Sequence, residues 1–289
     1  MKFTNSIGTL ITQNKYCIPA IIGVLSLALY YWSFIKLDQD FNFGLIGILA
    51  IPSLIYMWFY RNNKQTESLK QRKTSIILLI YSLLYFISIF FLNILGSSFA
   101  YWLVQFLMPI IILKLCDESL SSIFFKWNAM FSDIRYVLFS AIILVPFLVF
   151  EVRDSEQIII LFHSWKIIIY LPLSILYMLI TAAFWEEFFF RGIIQNSILK
   201  LTNNASISIF LSALFFSIYH IPMRYLNVKS EYYGDLLSSI AGTINEQFIM
   251  GLFLGLVVYK SKNIWHGIWL HSILNGISFV HQLSLMFII

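Results

Sequence analysis

Apolar runs of about 20 residues, separated by short polar stretches, recur along the whole chain. Because the hydrocarbon core of a bilayer is about 30 Å thick, each such run predicts a membrane-spanning helix. The predicted spans are 16–36, 43–60, 74–95, 97–116, 134–152, 166–200, 204–223, 243–260 and 264–288. The sixth run is too long for one simple span and predicts a tilted or broken helix, or a short helix joined to a span. We therefore expect an all-α fold, a polytopic bundle of eight or nine transmembrane helices.

The composition supports a membrane protein and argues against other classes. Of the 289 residues, 60% are hydrophobic and 11% are charged, against about a quarter charged in an ordinary soluble domain. The net charge of +5 comes without a long basic stripe, so we expect no nucleic-acid partner. Cys17 and Cys116 lack the spacing of a cysteine zinc site or a disulfide framework. The lipid bilayer is therefore the expected surrounding of the chain.

Basic residues are distributed unevenly between the predicted loops. With the N-terminus inside, most of the 19 Lys and Arg residues fall in cytoplasmic loops, as the positive-inside rule requires. The many Ile, Asn, Lys and Phe residues are compatible with an A+T-rich bacterial gene. We therefore expect an integral protein of the bacterial cytoplasmic membrane with a cytoplasmic N-terminus.

Two adjacent carboxylates and an arginine interrupt the aromatic stretch FWEEFFFRG at residues 184–192. Ionisable groups at membrane depth are costly, so such a cluster predicts a functional site. Glu187 and Arg191 are four residues apart and can pair on one helical face. Glu186 points about 100° away from that pair and is expected to remain free to exchange a proton, as a general base or acid requires. The alternative is an interfacial salt bridge at a helix end.

His220 is predicted to lie at the same depth as Glu186. If the chain turns at residues 202–204, Glu186 and His220 are equally far from Asn203 in sequence. At a rise of about 1.5 Å per residue, both lie about 25 Å from the turn on antiparallel helices. Taken alone, a histidine beside Pro222 would more often be an interfacial residue at a helix end. The matched depth favours a shared site.

His271 and Asn275 are four residues apart and project from one face of the last predicted helix. An imidazole and an amide offer hydrogen-bond donors without net negative charge, which suits the stabilisation of an oxyanion. The alternative is hydrogen bonding between membrane helices. His266 and His281 fall on other faces and are not assigned to the site.

Two further motifs have structural interpretations. Thr243 to Glu246 matches a capping box, so Glu246 is expected to reach back to the backbone at the start of a helix. Gly251 and Gly255 form a small-xxx-small pattern that predicts close packing between helices.

In this order, the polar motifs resemble the CPBP family of intramembrane proteases. This family includes the type II CAAX prenyl endopeptidases and the bacterial bacteriocin-processing or immunity proteins formerly called Abi. The resemblance covers roughly residues 166–280 and follows the order Glu-Glu-x-x-x-Arg, Phe-x-x-x-His, a glycine-containing span, and His-x-x-x-Asn. The matching residues are Glu186, Glu187, Arg191, Phe216, His220, Phe248, Gly251, Gly255, His271 and Asn275.

The resemblance implies hydrolysis of a peptide bond within the bilayer. By position, it implies that Glu186 is the general base, that His220 orients the water, and that His271 and Asn275 hold the oxyanion. Glu187 and Arg191 would brace the site. It also divides the chain into 1–165, transmembrane helices without a signature, and 166–289, the catalytic transmembrane core.

A metal is a second possibility that the resemblance leaves open, because the family has often been labelled metalloprotease. Glu186, His220 and His271 would then be the ligands of a divalent metal such as zinc. No HExxH motif occurs in the chain. We therefore favour a glutamate-based site without a metal or other cofactor.

Two functions of other classes compete with proteolysis. One is a catalytically silent membrane scaffold, or an immunity or regulatory protein, with the same fold. The other is a proton-coupled transporter in which Glu186, His220 and His271 relay protons. The substrate is expected to be a membrane-associated or lipidated peptide. Its identity, its prenylation and the oligomeric state are not readable from the sequence.

Overall fold

The computed structural model describes residues 69–92, 102–132, 137–138, 165–228 and 230–286, and in these ranges all regular structure is helical. The helices are α1 Leu69–Leu92, α2 Leu103–Leu115, α3 Ile167–Thr202, α4 Ala205–Tyr225, α5 Leu236–Ser261 and α6 Ile264–Met286. The all-α prediction is confirmed for this part of the chain. The predicted spans 16–36 and 43–60 and almost all of 134–152 lie outside the described residues, so eight or nine spans remains a prediction.

Helices α3, α4 and α5 are long and apolar enough to cross a bilayer. The 36 residues of α3 confirm that its apolar run exceeds a simple span. However, α3 is neither broken nor split into two helices, because wide π-type turns at Leu179–Ala183 and Phe188–Gln195 continue it. Such turns change the direction in which successive side chains point and often occur at functional sites. Residues 187–199 are buried on every side of the helix.

The turn between α3 and α4 lies where the sequence predicts it. Helix α3 ends at Thr202, and Asn203 adopts the left-handed conformation with φ of +50°, which asparagine tolerates better than most residues. Asn204 then caps α4, its side chain accepting a hydrogen bond from the Ile207 amide at 3.2 Å. This turn makes α3 and α4 an antiparallel pair.

Polar side chains tie α3 to its neighbours through backbone carbonyls. Ser212 Oγ of α4 donates to Phe190 O at 2.8 Å, and Ser174 Oγ of α3 donates to Gly276 O of α6 at 2.7 Å. At the second crossing, a Cβ on Gly276 would lie 2.9 Å from Ile175 Cα. Small residues and interhelical hydrogen bonds thus allow the close backbone approach that is typical of membrane bundles.

The start of α5 corrects one prediction. The helix begins at Leu236, where Asp235 Oδ1 accepts a hydrogen bond from the Ser238 amide. Thr243 therefore lies inside the helix, and the π-type turn Ile244–Phe248 follows it. The capping-box interpretation is wrong, because a more polar stretch of the same helix precedes the apolar run that defined the predicted span.

The segment 116–132, which follows α2, packs against the beginning of α6. Trp265 Nε1 donates to Lys126 O at 3.0 Å, and Trp269 Nε1 donates to Met130 O at 3.2 Å. His266 Nε2 lies 2.6 Å from Ser132 O. The prediction that His266 lies outside the polar site is confirmed, whereas the side chain of His281 lies outside the described residues.

Candidate active site

Glu186 lies between two imidazoles that come from different helices. Its Oε1 is 4.0 Å from His220 Nε2 of α4, and its Oε2 is 3.7 Å from His271 Nε2 of α6. The matched-depth prediction is thus confirmed for Glu186 and His220. The structure also places His271 at this depth, which the sequence argument did not address. Three helices therefore converge on one carboxylate.

The other nitrogen of each imidazole is held by an acceptor. His220 Nδ1 lies 2.8 Å from Phe216 O, and His271 Nδ1 lies 2.9 Å from Glu187 Oε1. Because a carbonyl and a carboxylate only accept hydrogen bonds, each Nδ1 carries the hydrogen. Such partners fix the tautomer and the orientation of a ring. Both Nε2 atoms therefore face Glu186.

The predicted pair of Glu187 and Arg191 is present and completely buried. Arg191 Nη1 lies 2.8 Å from Glu187 Oε1, and both side chains are 0% exposed. The guanidinium also donates from Nη2 to Gly251 O at 3.3 Å and lies 4.5 Å from the ring centroid of Phe216. Glu187 thus contacts both Arg191 of its own helix and His271 of α6. The spacing of residues along α3 predicts the contact with Arg191 but not the contact with His271.

The two adjacent glutamates have different surroundings. Glu186 keeps a side-chain exposure of 14%, whereas Glu187 has none. Arg191 and His271 both approach the same oxygen of Glu187. Glu186 is therefore the carboxylate that a small molecule can reach, and Glu187 is the carboxylate that holds the framework.

Sequence reasoning gave no role to two residues that shape the site. Phe216 packs against both imidazoles, with ring centroids 4.7 Å from His220 and 5.9 Å from His271. Gly267 leaves space for Glu187, because a Cβ there would lie 2.8 Å from Glu187 Oε2. The signal for Gly267 is its position four residues before His271, on the same face of α6.

The glycines of α5 pack closely against α3 and α4, as predicted. A Cβ on Gly251 would lie 3.0 Å from Ala213 Cα, and one on Gly255 would lie 2.6 Å from Gln195 Oε1. The carbonyl of Gly255 also accepts a hydrogen bond from Gln195 Nε2 at 2.8 Å. The glycine pattern therefore lets α3 place Arg191 and Gln195 directly against the backbone of α5.

Asn275 lies one turn after His271 on α6 and is half-buried. Within the described part of the chain, its side-chain amide makes no hydrogen bond. The helical spacing places it on the same side as His271, so the structure brings together five of the six predicted site residues and leaves Asn275 beside them.

The three possible metal ligands do not fit a tetrahedral zinc ion as they are placed. Zinc bonds of about 2.0–2.1 Å put neighbouring ligand atoms about 3.3 Å apart. The carboxylate oxygens of Glu186 are 4.0 Å from His220 Nε2 and 3.7 Å from His271 Nε2. Among the described residues, no group of three or more His, Cys, Asp or Glu residues has the arrangement of a metal site.

Comparison with known proteins identifies a family for this part of the chain. Residues 168–277 match the family model described as type II CAAX prenyl endopeptidase Rce1-like. No curated protein and no solved structure matches the chain. The matched residues include Glu186, His220 and His271, and proteins of this family are intramembrane proteases. Over residues 168–277, this integral membrane protein is therefore similar to the Rce1-like type II CAAX prenyl endopeptidases, and this match supports membership of the CPBP family.

Proposed function

We propose that this protein is an intramembrane endopeptidase that hydrolyses a peptide bond in a membrane-associated or lipidated peptide. The observation that carries the proposal is the position of Glu186 between His220 Nε2 and His271 Nε2. A reachable carboxylate between two oriented imidazoles can bind one water molecule and take its proton.

In the proposed reaction, Glu186 accepts a proton from water while the oxygen of that water attacks the carbonyl carbon of the peptide bond. His220 accepts a hydrogen bond from the water through Nε2 and orients it. The tetrahedral intermediate then collapses, and Glu186 returns the proton to the leaving amine nitrogen. The products are a carboxylic acid and an amine, so atoms and protons balance.

The oxyanion of the intermediate would be held from α6. Asn275 donates from its amide, and His271 donates from Nε2. Because His271 Nδ1 already donates to Glu187, Nε2 can donate only when the ring carries both protons. Glu186 and Glu187 then lie on two sides of the imidazolium, and Arg191 balances the second carboxylate. Each preorganised donor to an oxyanion is worth about 10²–10³-fold in rate.

We also propose that the reaction proceeds without a metal or other cofactor, since the distances from the Glu186 oxygens to His220 Nε2 and His271 Nε2 are longer than those between ligands of one tetrahedral zinc ion. The protein would act in a bacterial cytoplasmic membrane with its N-terminus in the cytoplasm. Residues 166–289 would form the catalytic core, and the helices within 1–165 would contribute to substrate choice or partners.

The test is peptide cleavage by the purified protein in detergent. The substrates are a library of fluorogenic membrane-proximal peptides that includes prenylated ones, and the variants are wild type, Glu186→Gln and the control Glu118→Gln. Glu118 is a carboxylate of the segment 116–132, outside the site. We expect cleavage by wild type and by the control, and a loss of about 10²–10⁴-fold in Glu186→Gln, because general-base catalysis contributes a factor of this size.

Each wild-type assay is repeated with a chelator. Activity that persists with the chelator supports the glutamate mechanism, whereas loss that zinc restores supports a metal site. Cleavage that continues in Glu186→Gln contradicts the mechanism. Uptake driven by a proton gradient without any peptide cleavage would instead favour the transporter.

A further inference from the structure

A second arginine–glutamate pair lies beside the site, between α4 and α5. Arg224 Nη1 donates to Glu246 Oε1 at 3.2 Å, and Nη2 donates to Glu246 Oε2. Both oxygens of the carboxylate are thus bound by the two ends of one guanidinium. This is the two-pronged arrangement that makes arginine a selective binder of carboxylates.

The arginine of this pair is enclosed, and the glutamate is open. The guanidinium of Arg224 lies 5.1 Å from the ring centroid of Tyr232, and a Cβ on Gly242 would lie 2.7 Å from its Nη1. Burial raises the pKa of Tyr232, so a neutral ring lies against the cation. The side-chain exposure is 17% for Arg224 and 42% for Glu246. The guanidinium therefore packs against Tyr232 and Gly242, while the carboxylate is the more exposed member of the pair.

Arg224 lies on the face of α4 that carries His220. The two residues are four positions apart, which puts their side chains on one side of the helix, about 6 Å apart along its axis. An extended peptide advances about 3.3 Å per residue. A peptide whose scissile bond lies at Glu186 and His220 therefore passes Arg224 about two residues further along.

We propose that Arg224 determines substrate specificity by binding a carboxylate of the peptide about two residues from the scissile bond, and that Glu246 occupies this position until the substrate replaces it. The proposal rests on the endopeptidase function proposed above. The exchange requires little free energy, because a partly exposed ion pair contributes little to stability and the incoming carboxylate makes the same two hydrogen bonds. The favoured substrate is therefore a peptide that ends, or carries an acidic side chain, shortly after the cleaved bond.

The first experiment measures binding without cleavage. Pairs of fluorescent lipidated peptides, identical except for a C-terminal acid or amide, are titrated into the Glu186→Gln protein in neutral detergent. A third peptide has an amide end and one internal aspartate, which separates a terminal from a side-chain carboxylate. We expect the acid to bind at least about tenfold more tightly than the amide. The ratio of the amide Kd to the acid Kd should fall to near one when Arg224→Gln is added to the Glu186→Gln protein.

Glu246→Gln is the matched variant, because it keeps Arg224 and removes only the competing carboxylate. The double variant Glu186→Gln with Glu246→Gln is compared with Glu186→Gln alone. We expect the double variant to bind the acid peptide several-fold more tightly. It also keeps the proposal testable if Arg224→Gln does not fold, which size-exclusion elution in detergent would reveal. Unchanged or weaker binding of the acid peptide by the Glu246→Gln form would contradict the proposal.

The remaining outcomes separate this proposal from the protease function. Cleavage by wild type that depends on Glu186 but ignores the acid or amide end overturns the role of Arg224 and leaves the protease intact. If the Glu186→Gln protein prefers the acid peptide but wild type cleaves no peptide, the carboxylate-binding role of Arg224 is supported and the protease function is contradicted. Competition by anionic phosphatidylglycerol but not by the acid peptide would assign Arg224 to a lipid headgroup and overturn the proposal.

Discussion

The two arginine–glutamate pairs use the same chemistry in opposite surroundings. Glu187 and Arg191 lie one turn apart on α3, and both side chains are completely buried. Arg224 and Glu246 come from α4 and α5, and nearly half of the Glu246 side chain is exposed. The first pair is closed to solvent and supports the position of His271. In the second pair, the exposed Glu246 carboxylate covers the Arg224 guanidinium and is proposed to be replaceable by another carboxylate.

Burial decides what each pair can do. A buried ion pair adds little net stability, because desolvation offsets the attraction, but removal of one partner leaves an uncompensated charge and is strongly destabilising. A partly exposed pair is solvated when it opens, so its rupture costs little. The buried pair is therefore suited to fixing His271, and the exposed pair is suited to exchanging partners.

The largest expected difference concerns stability. Arg191→Met should lower the free energy of unfolding by about 3–5 kcal/mol, because Glu187 keeps a buried charge without its guanidinium. Arg224→Met, the matched control, should lower it by about 1 kcal/mol or less. Denaturant titration of both variants in mixed micelles measures the two values.

The double variant Glu187→Gln with Arg191→Met sharpens the same comparison. It removes both charges, so part of the stability lost in Arg191→Met should return. Two results would show that burial does not determine the energetic difference between the pairs. One is an equal loss of unfolding free energy in Arg191→Met and Arg224→Met, and the other is a double variant that is less stable than Arg191→Met.

The difference between the pairs also explains how much of the site was predictable. Glu187 and Arg191 follow from a spacing of four residues, and Glu186 with His220 follows from the symmetric distances to the turn at Asn203. In each case the geometry is set by one helix or one hairpin. The contact of Glu187 with His271, the pairing of Glu246 with Arg224 and the space at Gly267 depend on how separate helices pack, which local spacing does not determine. Glu246 was therefore assigned to a helix cap, and the roles of Phe216 and Gly267 were missed.

The second prediction concerns the link from the buried pair to the reaction. Glu187→Gln keeps the shape of the side chain but removes the charge that orients His271 through Nδ1. Loss of such a supporting partner typically costs about 10–100-fold in activity. We expect this loss in kcat, with KM nearly unchanged, whereas Glu246→Gln should alter KM for acid-ended peptides. Steady-state kinetics of both variants measure the split, and a change in KM alone for Glu187→Gln would contradict the orienting role.

The third prediction uses the glycine beside each pair. At Gly251, near Arg191, an added Cβ would meet the Ala213 backbone at 3.0 Å, so Gly251→Ala should cost about 1–3 kcal/mol through overpacking. At Gly242, near Arg224, the nearest atoms belong to the end of the arginine side chain and to the Tyr232 ring, which can move. Gly242→Ala should cost less than Gly251→Ala in the same unfolding assay. The reverse order would mean that the Arg224 guanidinium is as rigidly enclosed as Arg191.

The smallest expected effect is the response of the two pairs to salt. The screening length falls from about 10 Å at 0.1 M to about 3 Å at 1 M ionic strength, and buried charges are screened much less than exposed ones. The stability difference between wild type and Glu246→Gln should therefore shrink towards zero between these concentrations. The difference between wild type and Arg191→Met should change little, because both side chains of that pair are completely buried. Parallel unfolding titrations at the two salt concentrations measure both differences. If the Glu246 difference resists salt, its carboxylate is less accessible than its exposure indicates, and a substrate carboxylate could not readily replace it.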